Sequence, residues 1–174
     1  MRSSLVGSEM CIRDSPIRGI VEHNGETLFA TEDGVERYNE NTNAWNSTWE
    51  AGNGLPSNAG DIFDELWTDG THLVVGGADF NGFGQFREGI ISHRNGAGAW
   101  TSYPADSNNN IPDGYPMSME MCGGMLNIAM YNNNGGIARL DLQNASVNAG
   151  FDRSQLDGTA PASVTCDSQD TLYI

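Results

Sequence analysis

Histidines, cysteines and paired carboxylates are the side chains in this sequence that could carry catalysis or hold a metal, and their spacing argues against both. His23, His72 and His93 stand far apart in the chain, and no two have the short spacing that brings imidazoles onto one ion. They are expected at the surface or at strand edges. Asp64 and Glu65 are adjacent; neighbours on a strand point to opposite faces, so this pair cannot share one substrate. The run Asp106-Ser107-Asn108-Asn109-Asn110 offers the first three oxygen ligands of a calcium loop. It then departs from that pattern, with Ile111 where glycine is needed and Met117 where the bidentate glutamate belongs. An asparagine-rich turn is the reading it supports. No Gly-x-Ser-x-Gly elbow and no phosphate-cradling glycine loop occurs. The expectation is therefore no catalytic residue, no cofactor and no metal.

Binding finds more support. Asp79-Phe80-Asn81-Gly82-Phe83-Gly84-Gln85-Phe86 places three phenylalanines in one loop-like insertion. They form either an aromatic platform for a protein or glycan partner, or a staple that folds back over the edge of a sheet. Phe80, Phe83 and Phe86, with Asp106 and Tyr115 from the next long connection, are the candidate ligand- or partner-binding residues. Cys122 and Cys166 each end a short apolar run. Two free thiols are expected, with a disulfide as the alternative if the Cα atoms come within about 7 Å.

The elements that must position these residues follow a repeat. Leu28, Leu73, Leu126 and Leu172 recur about every 45–53 residues; the first three follow Asn24-Gly25, Asp69-Gly70 and Gly123-Gly124, and Asp170-Thr171-Leu172-Tyr173-Ile174 begins the pattern again. Each of the first three is followed by a second apolar run, opening at Gly34, Gly89 or Gly136. Apolar runs last four to six residues and stop at glycine, asparagine or aspartate, which is strand rather than helix patterning. A repeat of this length holding several short strands is what propeller blades show. Four strands are expected at 17–23, 26–31, 34–39 and 44–49, then at 62–68, 71–77, 89–94 and 99–103. A third set falls at 117–122, 125–130, 136–142 and, poorly marked, 146–151. Strands at 163–166 and 171–174 open a fourth. Short turns then share one end of the blades, and the long connections 51–60, 78–88, 104–116, 131–135 and 152–161 share the other. Loops held on a rigid scaffold carry function, so the long-connection end is the expected site. A two-sheet sandwich is the rival fold.

The repeat resembles a known family. Leu28-Phe29-Ala30-Thr31-Glu32-Asp33-Gly34-Val35-Glu36-Arg37-Tyr38-Asn39, then Gly54-Leu55-Pro56-Ser57-Asn58, is similar to the two-component-regulator propeller repeat. Asp69-Gly70, Val74-Val75-Gly76-Gly77 and Asn110-Ile111-Pro112-Asp113-Gly114 follow the same pattern; the third repeat lacks the tryptophan and the Leu-Pro turn. The resemblance implies blade architecture over 16–174 and names no ligand. Family members include sensor regions of hybrid histidine kinases and large secreted surface proteins.

Residues 1–15 resemble a translated sequencing adapter and are expected to be non-native. The expected organisation is a partial β-propeller over 16–174, with blades at about 16–59, 60–116 and 117–161 and the next beginning at 162–174. This is the pattern of an internal fragment whose native termini lie beyond it. The chain has 174 residues and a formal net charge of −15, and all 8 of its basic residues are arginine. With no basic cluster, a nucleic-acid partner is not expected, and no apolar run is long enough to insert in a membrane. The functional expectation is a binding segment of a larger secreted or cell-surface protein, partnered by the remaining blades and by an unknown protein or glycan. The alternative is the extracytoplasmic sensor propeller of a signalling kinase, periplasmic in that case. A lesser one is part of an enzyme propeller, a lyase or hydrolase.

Overall fold

Asn24 and Gly25 both take positive φ, 53° and 76°, the conformation a two-residue hairpin turn requires and these residues tolerate. Gly123 and Gly124 do the same at 58° and 75°. The computed structural model describes residues 16–80, 84–105 and 110–174. Residues 1–15, and with them the adapter-like segment, lie outside the described residues, as do Phe83 and Asp106.

Three antiparallel meanders of four strands follow one another. The first is β1 (Gly19–His23), β2 (Glu26–Ala30), β3 (Val35–Asn39) and β4 (Ala44–Trp45). After a small parallel pair, β5 (Glu50–Ala51) and β6 (Gly54–Leu55), comes β7 (Ile62–Thr68), β8 (Leu73–Phe80), β9 (Phe86–Arg94) and β10 (Trp100–Pro104). The third is β11 (Tyr115–Cys122), β12 (Met125–Tyr131), β13 (Gly136–Asp141) and β14 (Ser146–Asp152), followed by a short 3-10 helix, Arg153–Leu156. A two-stranded sheet, β15 (Thr165–Cys166) and β16 (Leu172–Tyr173), comes last. The first strands β1, β7, β11 and β15 are neighbours in turn. This is a partial β-propeller.

Two expectations about the strands need correction. The first sheet's outer strand is short: β4 ends at Trp45, and Trp49 makes a separate bridge to Val35. The insertion at 78–88 is largely ladder rather than loop, because β8 and β9 stay paired out to Asp79–Glu88 and Phe80–Phe86.

The sheets stack face to face through apolar side chains. One core joins Leu28, Ala30 and Val35 of the first sheet to Phe63, Leu66, Leu73 and Val75 of the second. Another joins Val74 and Ile91 of the second to Met119, Leu126, Ile128, Met130 and Leu140 of the third. A third puts Ala129 and Ile137 against Val164. Strand alternation explains the division: Leu73 and Val75 point one way and Val74 the other. A sheet covered on both faces needs an unbroken apolar run in its middle strands, which Leu73-Val74-Val75 and Ile128-Ala129-Met130 supply. Glycine permits the closest approach. A Cβ on Gly89 would lie 1.7 Å from the carbonyl oxygen of Gly114.

The cysteines are not free thiols. Cys122 and Cys166 form a disulfide with Cα atoms 5.6 Å apart, because the first strands of adjacent sheets run side by side. It ties β11 to β15 across a sequence separation of 44. Cross-linking a loop of that length removes unfolded-state entropy worth roughly 2–4 kcal/mol. At about 2–4 °C of melting temperature per kcal/mol for this size, the Cys122→Ser/Cys166→Ser double variant is expected to melt roughly 5–15 °C lower by circular dichroism. Adding reductant should lower the wild-type melting temperature similarly and leave the variant unchanged.

Candidate functional site at the long-connection end

Extending the β8–β9 hairpin carries its aromatic residues to the third sheet. Phe80 and Phe86 face each other across the hairpin, centroids 5.9 Å apart and planes at 76°. Phe86 meets Tyr115 at 5.2 Å and 68°. Tyr115 meets Tyr131, its partner across β11 and β12, at 5.8 Å. The structure thus brings together three of the expected residues, Phe80, Phe86 and Tyr115, and adds Tyr131. Phe80, Phe86 and Tyr115 meet edge to face and are half-buried, while Tyr115 and Tyr131 are tilted at 57°; such pairs are worth about 0.5–1.5 kcal/mol each beyond burial. The row works as a clamp between sheets two and three, as the stapling reading requires. Only Tyr131, 41% exposed, offers a large free surface.

Beyond the clamp lies a groove of about 490 Å³ between the connection around 110–113 and the outer strand β14. Ile111, Pro112 and Phe151 give it apolar walls; Asn110, Asp113 and Asn134 give it amides and a carboxylate. Arg139 sits over the Phe151 ring, its guanidinium carbon 6.0 Å from the centroid. The rim is firm. Asp152 caps the 3-10 helix by accepting from the Ser154 and Gln155 amides, while its own amide donates to the Gln155 side chain. The Ser154 hydroxyl and the Gln155 amide hold the Asp152 carboxyl below the usual carboxylate range. Sequence reasoning missed Tyr131, Phe151 and Asn134. No signal marked the groove, whose walls come from segments about 40 residues apart.

Ionisable groups elsewhere are placed differently from expectation. The histidines are buried, not at the surface: His23 is 4% exposed, His72 8% and His93 1%. The β7 ladder skips from Phe63 to Glu65, so Asp64 is a bulged extra residue and simple alternation fails there. Asp64 pairs with Arg18 at 3.1 Å. Glu65 is pushed up to about 7, first by burial and then by the charge of Asp64. Among the described residues, Cys122, Cys166 and Asp170 come together in the manner of metal donors, but their two sulfurs are bonded to each other.

No protein-family model matches the sequence, and no curated protein matches it. Solved structures do match the fold. The extracellular domain of the hybrid two component system BT4673 of B. thetaiotaomicron superposes with a TM-score of 0.60 at 13% identity, over 90% of this chain and 19% of that one. The corresponding domain of BT3049 from the same organism gives 0.57 at 16% identity, over 86% and 20%. A luciferin-regenerating enzyme gives 0.58 at 14% identity, over 91% and 55%. The chain thus spans about a fifth of the two extracellular domains and about half of the enzyme. At these identities the likeness is one of fold, and that fold occurs both in extracellular domains of two component systems and in an enzyme.

The Glu65 shift fixes a sign. A carboxyl whose folded-state value lies above its unfolded value binds its proton more tightly when folded. Its contribution is therefore greatest in acid and is lost as pH rises from about 4.5 to about 7. Glu65→Gln should raise the melting temperature by a few degrees at pH 8 and change it little near pH 4.5; equal effects at both pH values contradict the assignment.

Proposed function

We propose that this chain is a ligand-binding part of an extracellular β-propeller of the sensor type, acting as an input segment of a larger receptor rather than as a catalyst. The fold likeness to extracellular domains of two component systems supports this reading. So does the resemblance of the repeats to the two-component-regulator propeller family. Among the described residues no helix is long and apolar enough to cross a membrane. The observation that carries the binding role is the groove beside β14: one aromatic wall, an aliphatic floor, and amides and a carboxylate at the rim.

That chemistry suits a ligand with one apolar face and a polar edge, of which a neutral sugar ring is the simplest case. The ring face stacks on Phe151 while hydroxyls pair with Asn110, Asp113 and Asn134. A net charge of −15 disfavours polyanionic ligands, so neutral glycans rank ahead of sulfated or uronic ones. The clamp Phe80–Phe86–Tyr115 supports the site from behind by fixing the second sheet to the third.

A panel of neutral oligosaccharides titrated by calorimetry tests the proposal. Binding of at least one neutral glycan, weakened about tenfold or more by Phe151→Ala and by Asp113→Ala, is expected. Binding that survives both substitutions unchanged, or binding confined to acidic glycans, would sink it.

A further inference from the structure

The end of the molecule opposite the groove holds a hydrogen-bond network whose protons can be placed. The Thr68 hydroxyl donates to the carbonyl of His72 at 2.7 Å, which uses its single proton. It also accepts from the Gly70 amide at 3.0 Å. The 2.8 Å bond between Thr68 Oγ1 and His23 Nδ1 must therefore run from histidine to threonine. His23 Nε2 is then a bare acceptor, and the Asn24 amide donates to it at 2.9 Å. His23 is thereby held as the neutral Nδ1–H tautomer. A second proton on Nε2 would meet the Asn24 amide hydrogen and abolish that bond.

Burial and the charge of Arg94 outweigh what Asp69 and Glu26 offer that proton. The nearby anions are already engaged. Glu26 takes the Arg37 guanidinium at 2.8–2.9 Å and the Asn46 amide at 2.5 Å. Asp69 takes the His72 ring at 3.0 Å and the amides of Thr71 and His72. The nearby cation, Arg94, opposes a charged His23. Behind it, the His72 and His93 rings stand 5.3 Å apart, and the buried Nε2 of His93 has no hydrogen-bond partner among the described residues. His23 belongs to β1 and Thr68 to β7, so the bond crosses the seam between the first two sheets.

We propose that the His23–Thr68 bond, backed by the buried His72–His93 pair, is an acid-sensitive latch between the first and second sheets. It is firm while His23 and His93 are neutral; a proton on His23 Nε2 leaves the donor bond to Thr68 in place but costs the bond from Asn24 and sets a charge in the buried seam beside Arg94, which loosens the two sheets. The buried position of His23 and the charge of Arg94 both lower its proton affinity from the usual histidine value, and burial beside His72 does the same for His93. For groups shifted this way the contribution is complete above the unfolded value near 6.5 and is lost as pH falls through the folded value. Glu65 works in the opposite direction over an overlapping pH range, so the latch is read with Glu65→Gln in place.

Hydrogen exchange of the full chain carrying Glu65→Gln, from pH 7.5 to 5.0 and corrected for intrinsic rates, reads the latch. Protection of the β1 amides should fall about tenfold per pH unit and per proton below about 6.5. In His23→Gln, whose amide can still bond Thr68 but takes no proton, the slope should shrink by one proton. A Glu65→Gln chain with no slope, or one that keeps the full slope when His23→Gln is added, overturns the latch. If His23→Gln does not fold, imidazole resonances of the wild-type chain decide. His23 as the Nδ1–H tautomer titrating below the free range supports the latch; titration in the free range overturns it.

Discussion

Burial of both faces of the second sheet is the interaction on which the other features depend. Leu73 and Val75 reach into one core and Val74 into another, so this sheet is stable only with a neighbour on each side. Face-to-face stacking sets the remaining geometry. It brings the first strands side by side, which is why Cys122 and Cys166 can be bonded. It also demands side-chain-free positions where backbones meet, as at Gly89 against Gly114. Neither feature arises from local sequence preference alone.

Stacked meanders leave two unlike ends. At one, short turns are closed by side chains that take over backbone hydrogen bonds. Asn39 accepts from the amides of Asn41 and Thr42, Asn95 from Ala97 and Ala99, and Asp141 from Gln143 and Asn144. The same device at three equivalent turns accounts for part of the chain's richness in asparagine. The turns at that end satisfy their own backbone groups. At the other, connections of unequal length leave room between them, and the groove beside Phe151 occupies that room. Separation of a closed end from an open one allows a ligand at the groove and a proton at His23 to act on different seams.

Much of the fold was legible because it rests on short-range signals. Asn24-Gly25 and Gly123-Gly124 specify tight hairpins, and the recurring leucines mark the second strand of each sheet. Even the weakly marked outer strand β14 lies where the repeat places it. What was not legible depends on packing between sheets. The histidines read as edge residues because nothing in their sequence neighbours shows a second sheet arriving on top of them. The cysteines read as free because their approach is set by the spacing of whole blades. The 78–88 segment read as a loop because glycines and asparagines interrupt it, yet cross-strand pairing carries it as far as Phe80 and Phe86. The groove was invisible for the same reason: Phe151 and Pro112 meet only in three dimensions.

Placing ligand recognition at the long-connection end of a sensor-type propeller makes one spatial demand, which amide chemical-shift mapping of the full chain with a neutral oligosaccharide tests directly. Perturbed resonances confined to 110–113, Asn134 and the end of β14 are the predicted outcome. Perturbations centred on the short-turn end around His23 and Asp69, or none from any neutral glycan, would contradict the account.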